Sequence, residues 1–88
     1  NTPAYQLELT PERVEDIPGT LARLADIGLI DAEQIPQLRR LIRSSRKFES
    51  VPLRLSLTDE DIATFAVRQF EFPGVEIATR LARWYPFG

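Results

Sequence analysis

The segment Val51-Pro52-Leu53-Arg54-Leu55-Ser56-Leu57 alternates apolar and polar residues and runs directly into Thr58-Asp59-Glu60-Asp61. A period of two places Val51, Leu53, Leu55 and Leu57 on one face of a strand, with Pro52, Arg54 and Ser56 on the other. Pro52 has no N–H to give to a ladder, so it belongs at a strand start or on a sheet edge. The next four residues read as a helix start. Thr58 is an N-cap, the acids suit the positive end of the helix dipole, and Asp61 stands where a capping box needs its partner. A strand passing straight into a capped helix confines the chain to mixed α and β structure.

Two further segments carry the strand period. Tyr5-Gln6-Leu7-Glu8-Leu9 alternates and ends at Thr10-Pro11. Val75 to Tyr85 alternates over a longer run, with Val75, Ile77, Thr79 and Leu81 on one face and Glu76, Ala78, Arg80 and Ala82 on the other. Between the strands the spacing changes to that of helices. Thr10 and Pro11 suit a short helical turn, as N-cap and first helical residue. Asp16 is a second cap, followed by Ile17, Leu21, Leu24 and Ile27 at helical spacing, with Gly28 as the stop. Asp31 opens a second helix with Gln34 as its capping-box partner and Ile35, Leu38, Leu41 and Ile42 as its stripe. Pro36 falls in its fifth position and removes a backbone bond, so either the first turn is irregular or the regular helix starts nearer Pro36. After Thr58, Ile62, Phe65, Ala66 and Gln69 or Phe70 continue a third helix until Phe72-Pro73-Gly74 ends it.

The expected order is β-α-α-β-α-β. Three one-faced strands need one helical layer, which gives a two-layer α+β domain: a three-stranded antiparallel sheet on about three helices. No internal repeat or linker divides the chain, so residues 1–88 are expected to form a single domain.

Composition then restricts the chemistry. The 88 residues include no Cys and no His, which removes thiolate nucleophiles, Cys-type zinc sites and imidazole bases. They include no Met either, and the chain opens at Asn1; we expect an excised piece of a longer protein. The net charge of −2 argues against a dedicated nucleic-acid binder. Charge is unevenly placed: residues 1–38 hold seven acids against two bases, and residues 39–88 hold nine bases against six acids. Arg forms bidentate pairs with carboxylates, so part of this charge is expected to pair between the two halves.

Four features are candidates for a functional role. Ser44-Ser45-Arg46-Lys47 fits S-x-x-K, the nucleophile motif of serine β-lactamases and penicillin-binding enzymes. The companion S-x-N and K-T-G elements are absent from the sequence, so Ser44 reads as a solvated helix end. Asp59 and Asp61 read as helix-capping acids rather than an acid–base pair. The basic stripe from Arg39 to Lys47, with Arg39, Arg40 and Arg43 foremost, is either a solvated face or a partner-binding face. The aromatics Trp84, Tyr85 and Phe87 belong either to the core or to a surface that another part of the parent protein covers, and Phe87 is assigned to the covered surface. No cofactor or metal site is expected, since there is no calcium-loop pattern.

Several of these segments resemble a known family. Tyr5-Gln6-Leu7-Glu8-Leu9 with Pro11, Glu12 and Val14 is similar to the start of the head region in class B penicillin-binding proteins. So is Phe48-x-x-Val51-Pro52 running to Leu57-Thr58. The most specific likeness is Phe65-Ala66-Val67 with Gln69, then Phe72-Pro73-Gly74-Val75-Glu76, then Arg83-Trp84-Tyr85-Pro86 with Gly88. Together they resemble the dimerisation or pedestal module of the elongation-type members. The R-G-x-I-x-D-R-N-G segment that precedes the first strand in that family, and the H-x-x-G-Y segment that follows, are absent from this sequence.

The resemblance implies a non-catalytic, periplasmic interaction and positioning module. Its parent would be a peptidoglycan D,D-transpeptidase, anchored in the bacterial inner membrane and serving cell-wall elongation and rod shape. The implied partners are MreC, RodA and the parent's own transpeptidase domain, with a homodimer as a further pairing. The candidate interface residues are Arg39, Arg40, Arg43, Trp84, Tyr85 and Phe87. The basic stripe keeps a second reading open: an unrelated small binding domain, POTRA-like or a nucleic-acid-binding α/β module.

Overall fold

A computed structural model describes residues 2–82 of the chain. β1 (Thr2–Leu9) is the central strand of a three-stranded sheet, with β2 (Val51–Arg54) and β3 (Val75–Ala82) antiparallel on either side. α1 (Ile17–Asp26) and α2 (Ile35–Ser44) lie between β1 and β2 in the chain, and α3 (Asp59–Ala66) between β2 and β3. The order is the expected β-α-α-β-α-β, and Pro52 does sit on an edge strand, where a missing N–H leaves no central ladder broken.

One apolar face of the sheet meets all three helices. Leu7, Leu9, Val51, Leu53 and Val75 share a buried cluster with Leu21 and Leu24 of α1, Leu38 and Ile42 of α2, and Phe65 of α3. Burying one such Leu contributes roughly 1.5–3 kcal/mol. Phe72, just before β3, stacks on Phe65 with ring centroids 6.0 Å apart and takes the Arg23 guanidinium on its ring at 5.3 Å.

The helix ends follow local chemistry closely. The Asp16 carboxylate accepts the Gly19 N–H at 3.0 Å and so caps α1. Gly28, at φ +81°, ends it. Leu29 N–H donates to the Leu24 carbonyl and Gly28 N–H to the Ala25 carbonyl, which is the Schellman pattern, and it draws Leu29 into the core. At α3, Thr58 and Asp61 form the full reciprocal capping box. Pro36 resolves in both foreseen ways at once: Ala32–Gln34 forms a separate 3-10 turn, and α2 starts at Ile35 with Pro36 in its first turn, where its absent N–H breaks no helical bond.

Leu41, expected in the α2 apolar stripe, is 45% exposed, and among the described residues the structure departs from the sequence reading at five further places. Asp31 caps the 3-10 turn through Glu33 N–H, not a capping box with Gln34. Thr10 makes no side-chain cap; its hydroxyl lies 3.3 Å from that of Ser50. α3 stops at Ala66, so Phe70 lies in a 3-10 turn and is 83% exposed. β2 ends at Arg54, and Leu55, expected inside, is 64% exposed at a bend. The fifth concerns Arg54. Leu7 pairs with Arg54 but Glu8 with Pro52, so Leu53 is an extra residue on β2. Two residues opposing one re-aim a side chain. Arg54 thereby leaves the polar face, donates to the Gly28 and Leu29 carbonyls at 3.4 and 3.2 Å, and meets the Asp61 carboxylate at 3.1 Å.

The other sheet face holds the pairing expected between the acidic and basic halves. Glu8 is only 3% exposed, and Arg80 clasps it through two bonds of 3.1 and 3.0 Å, with Gln6 donating a third.

Candidate interaction surface

The short segment after β1 and the outer flank of α2 face each other across a groove of about 350 Å³. Pro11 begins a 3-10 turn (Pro11–Arg13), and the backbone N–H of Glu12 donates to the Lys47 carbonyl at 3.0 Å. That bond ties the segment to the chain just beyond α2. The groove's apolar part consists of Pro11, Ile17, Pro18 and Ile42. Ile42 is at the same time a core residue, so the helix that anchors the fold also forms the groove floor.

Three cations line the same groove: Arg39, Arg43 and Lys47, with Ser45 between them and, among the described residues, no acidic side chain on the lining. Arg39 and Arg43 are four residues apart and therefore neighbours on one helix face. Both are exposed, as is Lys47, and none of the three joins an ion pair among the described residues. Arg43, in the last turn of α2, suits the negative end of the helix dipole. Neighbouring Arg46 does have a partner, Glu49 at 3.9 Å, but both are well exposed and such a pair contributes little.

The structure therefore divides the basic stripe. Arg39 and Arg43 come together at the groove. Arg40 lies off it, with its Nε 3.5 Å from the Pro36 carbonyl. Trp84, Tyr85 and Phe87 lie outside the described residues. Ser44 is exposed at the last turn of α2, where its hydroxyl donates to the Leu41 carbonyl at 3.0 Å. Asp61 serves as the α3 capping partner and the Arg54 counter-ion; the Thr58 hydrogen bonds and Arg54 hold its carboxyl below the ordinary value of 3.8. Among the described residues there is no group of three or more metal-ligating side chains, and no helix is long and apolar enough to cross a membrane.

Sequence reasoning found the basic half of the groove and missed the apolar half. The sequence reads Pro11 as the first residue of a short helical turn and Ile17 as part of an apolar helical stripe, neither as the wall of a surface. The visible signal was Ile42 beside Arg39 and Arg43, an apolar residue adjoining a basic row. Nothing local said that the Pro11–Pro18 segment would lie against that row.

Comparison with known proteins gives a consistent result. All of residues 1–88 match the family described as the penicillin-binding protein dimerisation domain. The chain is 36% identical over 88 residues to the peptidoglycan D,D-transpeptidase MrdA of Escherichia coli (strain K12), 38% to that of Salmonella typhimurium (strain LT2) and 33% to that of Acinetobacter baumannii. Each match covers the whole of this chain but only 13–14% of the relative's length.

Proposed function

Because this chain belongs to the penicillin-binding protein dimerisation-domain family, we propose that it is the head part of the pedestal in an elongation-type peptidoglycan transpeptidase. In this reading the chain performs no chemistry of its own. It binds partner proteins and positions a transpeptidase carried elsewhere in the same parent. The parent is anchored in the inner membrane with this module in the periplasm, and the partners are MreC, RodA and the transpeptidase domain itself. A match over every residue to a dimerisation domain carries the reading. The position of Ser44 supports the non-catalytic part, since its hydroxyl is spent on a helix carbonyl at an exposed helix end. The whole-chain family match leaves the unrelated-domain alternative without a supporting observation.

The test uses the full-length parent and a version lacking residues 1–88. We expect the deletion to abolish co-purification with MreC and rod-shape complementation, while a fluorescent penicillin still acylates the transpeptidase domain. Acylation of the 88-residue chain itself, lost on Ser44→Ala, would overturn the reading. So would undiminished MreC capture by the deleted parent.

A further inference from the structure

We propose that the groove between α2 and the Pro11–Pro18 segment docks an extended acidic segment of a partner protein, with one apolar side chain between two carboxylates. The proposal deepens the interaction reading above and rests on it. It is carried by charge and shape together. Arg39, Arg43 and Lys47 stand around an apolar floor, and among the described residues no carboxylate is on the lining. Uncompensated cations beside apolar surface favour a ligand that supplies carboxylates and a hydrophobic side chain at once.

The spacing narrows the ligand further. Arg39 and Arg43 stand about 6 Å apart along the helix axis. Carboxylates two residues apart on an extended strand are separated by roughly 6.6 Å, so two of them can meet the two guanidiniums. The residue between them points the opposite way, away from α2 and toward the facing wall of Pro11, Ile17 and Pro18 when the segment lies edge-on in the groove. The volume of about 350 Å³ is at the lower end for a ligand cleft and suits one such side chain. A nucleic-acid strand is disfavoured, because among the described residues no aromatic side chain lines the groove for a base to stack on.

The experiment titrates the isotopically labelled 88-residue chain with a capped peptide, glutamate–leucine–glutamate between glycine spacers, and follows backbone amide shifts. We expect shifts centred on Ile42, Arg43 and Ser45, weakening as salt is raised. Affinity should fall about fivefold or more with Arg43→Glu, and similarly when both glutamates are replaced by glutamine. Arg40→Glu, off the groove on the same helix, should leave affinity within about twofold. Equal losses for the Arg40 and Arg43 variants would overturn the proposal. So would tighter binding to vesicles containing phosphatidylglycerol than to the peptide, or a concentration-dependent dimer that Arg43→Glu dissociates, since the occupant would then be a lipid surface or a second copy. In the full-length parent, MreC capture that survives Arg43→Glu but not removal of residues 1–88 sinks the groove assignment alone and leaves the broader reading standing.

Discussion

Gly74 shows how a single position can be decided by its surroundings. It has φ +90°, and a Cβ there would come within 2.6 Å of Val14 Cγ2 and 2.9 Å of the Arg13 backbone. Its carbonyl also accepts the Thr10 N–H at 2.8 Å, so the turn is tied to the end of β1. Gly28 has a similar φ of +81° but nothing within 4 Å of its missing Cβ. An alanine at either site pays the left-handed backbone penalty of roughly 1–2 kcal/mol; only the one at Gly74 adds a clash. Gly74→Ala should therefore lower unfolding free energy by about 2–4 kcal/mol and Gly28→Ala by about 1–2, measured by urea denaturation. Equal losses would mean that the Gly74 turn does not press on Val14. The left-handed glycine at Gly28 was legible from its place after an apolar helical stripe. The contact at Gly74 was not, because Arg13 and Val14 are distant in sequence.

α1 and α3 begin where their capping residues say, and predictability is lost where another element intervenes. The Thr58–Asp61 box could be read directly, since both partners lie within one helical turn. Its link to Arg54 could not, because a one-residue irregularity in β2 had to turn that side chain toward the helices. The pKa of Asp61 is lowered by the Thr58 hydrogen bonds and by Arg54, so the folded state favours its ionised form. That contribution is complete above the ordinary value of 3.8 and is lost as pH falls through the lowered folded value. We predict that Asp61→Asn destabilises the chain at neutral pH, and that its deficit relative to the parent shrinks once pH drops below the ordinary aspartate range. Urea midpoints of both proteins across this range test it, and a deficit independent of pH would exclude a role for the charge. The early end of α3 belongs at this scale too. Beyond it, Phe72 packs on Phe65 and under the Arg23 guanidinium, while Phe70 lies in solvent.

The two halves of the molecule, unequal in charge, are joined by the Glu8–Arg80 clasp between the first and last strands. The pair is asymmetric: the Glu8 side chain is 4% exposed and that of Arg80 59%. Removing the cation strands a buried carboxylate, whereas removing the carboxylate frees an arginine that water can solvate. Arg80→Met should cost about 3 kcal/mol and Glu8→Gln about 1, with the double variant more stable than Arg80→Met alone; chemical denaturation of all four proteins closes the cycle. A double variant as unstable as the sum of the two would show that the charges do not act on each other. The sequence by itself determined the β-α-α-β-α-β order, the caps of α1 and α3, the lack of thiol and imidazole side chains, and the family resemblance. All of these depend on residues close together along the chain or on composition alone. Only the tertiary structure decided which of the basic residues share a groove, that Pro11, Ile17 and Pro18 complete it, that Arg54 faces the helices, and that Glu8 is buried beneath Arg80. Each of these is a contact between segments distant in sequence, and the period of a helix or strand fixes which face a residue occupies but not what that face will meet.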